Sequence, residues 1–212
     1  HIALEIDQEI LEDLVRGATA GTFYWSRRTG YFVNRTTGEP ASGRIANAVT
    51  QNESVYGLDF TGNVSEWYET LIETINDASA QIHRKTLRGG GNFLVCGPEV
   101  ANILEMTAGF RASVENDYGK GEAGPLKIGS ISRKWEIWVD PYFIRNLILV
   151  GRKGNSFLES GYALCPYVPL QVTPTIFGPE DFVPRKGVMT RFARTMVKPD
   201  MYALVVVMHL LG

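Results

Sequence analysis

The sequence predicts an α+β fold with long irregular connections, and three observations carry that expectation. Two stretches, 1–16 and 64–88, repeat apolar residues at helical spacing. The second half of the chain instead holds short apolar or alternating runs with the two-residue period of strands, such as KWEIWVD at 134–140. Glycine and proline, 22 and 10 of 212 residues, punctuate the chain without a fixed period. That pattern excludes collagen and solenoid repeats and places loops between the sheet elements.

Bulk composition removes several classes of protein. Hydrophobic residues make up 44%, and 21 Lys+Arg stand against 23 Asp+Glu for a net charge of -2. Global disorder needs far less apolar content and far more net charge. The near-neutral balance argues against a dedicated nucleic-acid binder, while a local basic patch stays open. Cys96 and Cys165 are too few to staple a small disulfide scaffold. A chain of this size buries roughly 70% of its extended surface, enough for one good core or two modest ones. The longest apolar run, Met201 to Leu211, contains His209 and is too short for a bilayer. The chain opens His-Ile-Ala-Leu without Met or a basic n-region, so the expectation is a start partway along a longer protein.

The elements follow in order. In 1–16, Ile2, Ile6, Ile10 and Leu14 form a stripe widened by Leu4, Leu11 and Val15. The other face is acidic, with Glu5, Asp7, Glu9, Glu12 and Asp13 against Arg16 alone. No cap precedes Ile2, and Gly17 suits the C-terminal cap. Residues 18–62 are poorly patterned; 28–38 fits a short hairpin and the rest reads as loop. The 64–88 helix takes Asn63 as N-cap and stops at the glycines 89–91, its late Arg84, Lys85 and Arg88 complementing the dipole. NFLVCG (92–97) reads as a buried strand, and Pro98 opens the next helix. A glycine-rich loop (109–124) leads to strands at 125–131 and 134–140. In the second, Trp135, Ile137 and Val139 share one face, and Asp140-Pro141 ends it. NLILVG (146–151) is a buried strand. Segments 161–170 and 170–177 are extended, their prolines confining them to edges or bends. Lys198-Pro199-Asp200 reads as a tight turn joining two final strands in a hairpin.

Motifs for chemistry are absent. His1, His83 and His209 and the two cysteines have no metal-ligand spacing, and no G-x-S-x-G elbow occurs. Both cysteines are expected as small buried apolar groups. GRKGN (151–155) lacks the phosphate-loop frame, and GGGNF runs into a strand, the wrong order for a dinucleotide cradle. Glu5/Glu9 and Glu66/Glu69 read as hydrated helix surface. No catalytic, cofactor-binding or metal residue is predicted, and no enzyme. One cluster remains: Arg27, Arg28, Arg35 and Arg44 interleaved with Phe23, Tyr24, Trp25, Tyr31 and Phe32. It suits nucleic acid or a contact between subunits. Charge segregation favours the second, since the first helix is acidic while 180–212 holds Arg185, Lys186, Arg191, Arg194 and Lys198 against Glu180, Asp181 and Asp200. Pairing within one chain would satisfy the same charges.

The closing MTRFARTMVKPDMYALVVV (189–207) resembles the end of tailed-phage major capsid proteins of the Hong Kong 97 fold, with Arg191, Arg194, Lys198, Pro199 and the run 202–207 at the matching places. IALEIDQEILEDL (2–14) resembles their spine helix, most closely in the T-even type. FLVCGPEVANILE (93–105) and GPLKIGSISRKWEIWVDPYF (124–143) resemble parts of their axial domain. The resemblance implies an α+β, Hong Kong 97-like capsid fold. A peripheral domain would take 1–20 and 163–197, and an axial domain 21–162 and 198–212. It also implies a structural protein of the virion, assembled in the host cytoplasm into hexameric and pentameric capsomers around double-stranded DNA held non-specifically. Partners would be copies of the chain, with vertex, scaffold, portal or decoration proteins, and no membrane. The family's N-terminal arm and extended loop would lie before His1. Candidate intersubunit contacts are Trp25, Arg27, Arg28, Tyr31, Arg35, Arg44, Arg185, Lys186, Arg191 and Arg194. The alternatives are a head-vertex subunit of the same fold, an α+β enzyme with a loop-built site, and a DNA-binding module using the Arg/aromatic cluster.

Overall fold

The computed structural model describes residues 2–39, 62–107, 110–112, 126–131, 134–156, 159–180 and 183–210. Helix α1 (Ile2–Gly17) forms where the four-residue stripe predicts it, but only Leu14 is buried. Strand β1 (Thr22–Ser26) follows, then α2 (Val64–Thr86), β2 (Phe93–Cys96), α3 (Pro98–Glu105), β3 (Phe110–Ala112), β4 (Leu126–Ile131), β5 (Trp135–Val139) and β6 (Leu147–Gly151). The remainder is β7 (Tyr162–Val172), β8 (Ile176–Phe177), β9 (Pro184–Arg185), β10 (Val188–Met196), a 3-10 turn at Pro199–Met201, and β11 (Tyr202–Met208).

Seven strands form one mixed sheet in the order β1-β11-β6-β2-β5-β4-β3. β6 lies near its centre because all five of its residues are buried, as a strand covered on both faces requires. Helix α2 covers one face. Its Trp67, Leu71, Ile75, Ala78 and Ile82 pack in a single core with Leu94, Ile137, Ile148, Val150 and Val205. The opposite face is covered less completely. There Leu14, with half-buried Ile10, Leu11 and Val15 of α1, meets Val95, Phe143, Leu147, Leu149, Met201 and Tyr202.

The ends of α2 show how local chemistry sets the boundaries. At its start the Asn63 N–H donates to Glu66 Oε2 at 3.2 Å, one arm of a capping box. At its end the left-handed residue is Leu87 (φ 55), whose N–H donates to His83 O at 2.8 Å. The three glycines therefore do not stop the helix themselves. Gly89 (φ 117) turns the chain immediately afterwards, where an added Cβ would lie 2.5 Å from the Arg152 guanidinium.

Several expectations need correction. β1 is a regular strand inside the stretch read as loop, pairing in parallel with β11 from Thr22↔Leu204 to Ser26↔Met208. Residues 28–38 are turns and a single bridge rather than a hairpin. Lys198-Pro199-Asp200 is a turn, but the strands it joins do not pair with each other. β10 pairs with β7 in a separate two-stranded ribbon, whereas β11 enters the large sheet between β1 and β6. Cys96 is buried as expected, while Cys165 lies exposed on the ribbon.

β7 and β10 together leave the sheet as an antiparallel arm, extended by the short β8/β9 pairing. Pro166 and Pro169 sit within β7, which is allowed because each strand of a two-stranded ribbon is an edge. Most residues of both strands are exposed.

Candidate assembly surface

The residues singled out by sequence fall into three separate places. The first surrounds the end of β11. Trp25 is buried against α2, its Nε1–H donating to Thr70 Oγ1 at 2.7 Å, with Trp67 and Tyr68 rings 6.4 and 6.3 Å away. Phe32 packs edge-on to Trp67 at 5.1 Å, and Trp67 Nε1–H donates to Ser26 O at 3.0 Å. Much of the aromatic interleaving is therefore the core between β1 and α2. Outside that core, Arg27 donates from Nη1 to Leu210 O at 2.5 Å and from its backbone to Met208 O at 3.0 Å. Tyr31 meets the His209 ring edge at 5.0 Å, and the Arg28 guanidinium stands 5.9 Å from the Tyr31 ring.

Arg35 is spent within the chain. It pairs with Glu73 at 2.7 Å and also binds Asp77, tying the turn after β1 to the flank of α2. Burial lowers its pKa, but the hydrogen bonds to the two carboxylates outweigh burial and the net direction is up. Arg44 lies outside the described residues.

The second place is the root of the arm. Gly161 lies against the Tyr202 ring, where a Cβ would approach to 2.5 Å. The backbone N–H groups of Val197 and Lys198 both donate to Gly161 O at 2.9 Å. Arg194 bridges Glu9 at 2.6 Å and Asp13 at 3.0 Å, and the Tyr162 hydroxyl donates to Asp13 Oδ2 at 3.0 Å. Desolvation, then the bond to Asp13, pushes the Tyr162 phenol up to about 12. The acidic face of α1 and the basic β10 thus meet within one chain at this point.

The third place is the outer arm. Arg185, Lys186 and Arg191 are exposed there. Beside them stand large apolar side chains that charge patterning alone does not reveal: Tyr167 is 76% exposed, Phe177 63% and Ile176 60%, with Leu170, Val172 and Met189 also open to solvent. Large apolar side chains left open to solvent in such number on one arm point to a surface that is covered by a partner. The signal was available in the sequence as proline-bearing extended segments that keep large apolar residues. Among the described residues no group of His, Cys, Asp and Glu is placed to hold a metal ion. No helix of the described residues is long and apolar enough to cross a membrane.

Comparison with known proteins bears on this arrangement. A family model described as "Major capsid protein Gp23" matches residues 1–209. A major capsid protein of Serratia phage KSP90 is 32% identical over 111 residues, covering 50% of this chain and 25% of its own. That of Vibrio phage KVP40 is 26% identical over 201 residues, covering 91% of this chain and 35% of its own. The chain thus spans about a quarter to a third of the length of these relatives. A virus-like particle from Pyrococcus furiosus, solved by crystallography, aligns over 65% of this chain and 51% of its own at 12% identity and a TM-score of 0.43.

Proposed function

The chain belongs to the Gp23 family of major capsid proteins, and from that premise we propose that it is a structural shell subunit of a phage head. Copies associate laterally into hexameric and pentameric capsomers that enclose double-stranded DNA in the virion. The observation that supports this reading is the arm formed by β7 and β10. It is separate from the main sheet, carries large apolar residues on the outside, and among its described residues contributes none to the buried core. Extended arms of that kind gain their burial on a neighbour, offsetting the cost of ordering them. In this reading α1 with the arm (1–20 and 163–197) forms a peripheral domain, and the seven-stranded sheet with α2 and α3 (21–162 and 198–212) an axial domain. Strand grouping supports that division, since β7 and β10 pair only with each other. Of the predicted contact set, Arg27, Arg28, Arg185, Lys186, Arg191 and Arg194 are exposed and Tyr31 and Arg35 half-exposed, with Arg35 and Arg194 also paired to carboxylates of their own chain. Trp25 contributes by holding β1 on α2.

The test is assembly of the purified full chain, read by electron microscopy and sedimentation. The wild type is expected to form closed or sheet-like particles of many copies. Tyr167→Asp with Leu170→Asp, both at exposed positions, should leave far-UV circular dichroism unchanged and the chain dispersed. A wild type that stays monomeric at high concentration overturns the reading.

A further inference from the structure

Both ends of α2 leave large apolar side chains open to solvent, and the charges around them differ in sign. At the C-terminal end Leu87 is almost fully exposed in its left-handed conformation. Arg84 lies one turn before it and Arg88 directly after, both exposed, and the Arg152 guanidinium stands beside Gly89. At the N-terminal end Val64, and Met106 just beyond α3, are each more than half exposed. Ser65 Oγ donates to Met106 O at 3.1 Å, which holds Met106 against the first turn of α2. Glu69 stands one turn on from Ser65 and Glu105 precedes Met106, both exposed. Arg84, Arg88, Glu69 and Glu105 have no ion-pair partner among the described residues. The charges nearby are already engaged. Glu73 and Asp77 bind Arg35, and Lys85 faces Asp200 at 3.8 Å. At the neighbouring end of β1, Arg27 donates to Leu210 O and Arg28 stands at the Tyr31 ring. The helix dipole favours acids at its start and bases at its end, which accounts for the signs but not for the apolar groups among them.

We propose that the two ends of α2 meet head to tail between copies of the chain. Leu87 of one copy packs on Met106 and Val64 of a second, with Arg84 and Arg88 facing Glu69 and Glu105. This contact rests on the shell reading and supplies one of its lateral joints. A chain cannot make it with itself, because the helix holds its own two ends about 30 Å apart. Arg84 and Arg88 stand four residues apart, so in the lone chain their like charges repel, and opposite charge from a neighbour relieves that repulsion. Apolar on apolar supplies the burial, and the charges select this pairing over head to head or tail to tail. Two different patches of one chain make a heterologous contact, which closes into rings or runs on into open assemblies according to the rotation it imposes.

Cysteine trapping in the full chain tests this, in a Cys165→Ser background with Cys96 left buried. Leu87→Cys together with Met106→Cys in one chain is expected to oxidise to a ladder of disulfide-linked oligomers, while either substitution alone stays unlinked. Charge reversal tests the pairing. Arg84→Glu with Arg88→Glu, and separately Glu69→Lys with Glu105→Lys, should each keep the circular dichroism of the wild type and lose particles. Mixing the two reversed chains should restore them, because each then meets its complement. Particles from the wild type without the ladder, self-linking of either single variant, or reversed chains that assemble alone overturn this contact and leave the shell reading standing. A ladder from a chain that forms no particles upholds the contact and overturns the shell. Neither particles nor ladder overturns both.

Discussion

Cys96 and Cys165 carry the same side chain into opposite surroundings. Cys96 closes β2 inside the core, and desolvation, with Glu105 adding to it, pushes its thiol from 9.0 up to about 12. Cys165 faces solvent opposite Ala193 on the arm. A thiol reagent at neutral pH should therefore label one cysteine of the dispersed native chain quickly and the second only after denaturation. Rapid labelling of both would show that β2 is not buried as described. Cys96 also sets a pH dependence. Its folded pKa is raised, so its protonated form is favoured in the fold; that stability is complete below about pH 9 and is lost as pH rises toward 12. Burial of the Tyr202 phenol, raised from 10.0 to about 12, adds loss above pH 10 in the same direction. Denaturant melts should show stability falling from pH 9 upward, and Cys96→Ala should remove up to about 1.4 kcal/mol per pH unit of that slope. An unchanged slope would show that the thiol is not the group responsible. The burial of Cys96 was legible in the sequence and the exposure of Cys165 was not. Both cysteines sit in apolar-looking strands, and only pairing tells a central strand from an arm.

Helix α2 was readable from the sequence because its register, its N-cap and its late basic residues all point to the same element. Its stop was not, because three successive glycines mask the role of the residue before them. Leu87 holds a left-handed conformation and is 81% exposed, so its side chain contributes little to packing. Leu87→Gly should stabilise the chain by about 1 kcal/mol, the strain of an L-residue in that region offset by glycine's greater freedom when unfolded. Urea midpoints measure it, and a destabilised variant would show that Leu87 does pack. β1 escaped notice for a different reason. Its TFYWS has no clean alternation, and its residues become a strand only because β11 offers an open edge for parallel pairing. The final strands show the same limit. β10 and β11 are both plainly extended in sequence, yet the turn between them sends one to the arm and the other to the sheet.

For the whole molecule, the arm is joined to the body by two chain crossings at Gly161 and Val197 and by the clasp of Arg194 and Tyr162 on α1. Partly exposed ion pairs of that kind hold an angle more than they stabilise a fold, at about 0–1 kcal/mol. Ala163 and Thr195 face each other across the ribbon, so replacing 164–194 with an Asn-Gly turn closes the chain without strain. That variant should keep the thermal transition of the sheet within a few degrees and lose all assembly; a body that unfolds with the arm removed would make the arm part of the core. The two long helices, most strands of the main sheet, the segregation of charge and the resemblance that led to the family could all be read from the residues, because each depends on local periodicity or residue order. It took the three-dimensional fold to show which predicted contact residues are used inside the chain. Arg35 and Arg194 are consumed by carboxylates of their own chain, Trp25 by its own core, while the outer arm keeps its apolar and basic groups exposed. The reason is physical: charge and apolar content belong to the residue, but whether either is satisfied depends on what long-range folding sets opposite it.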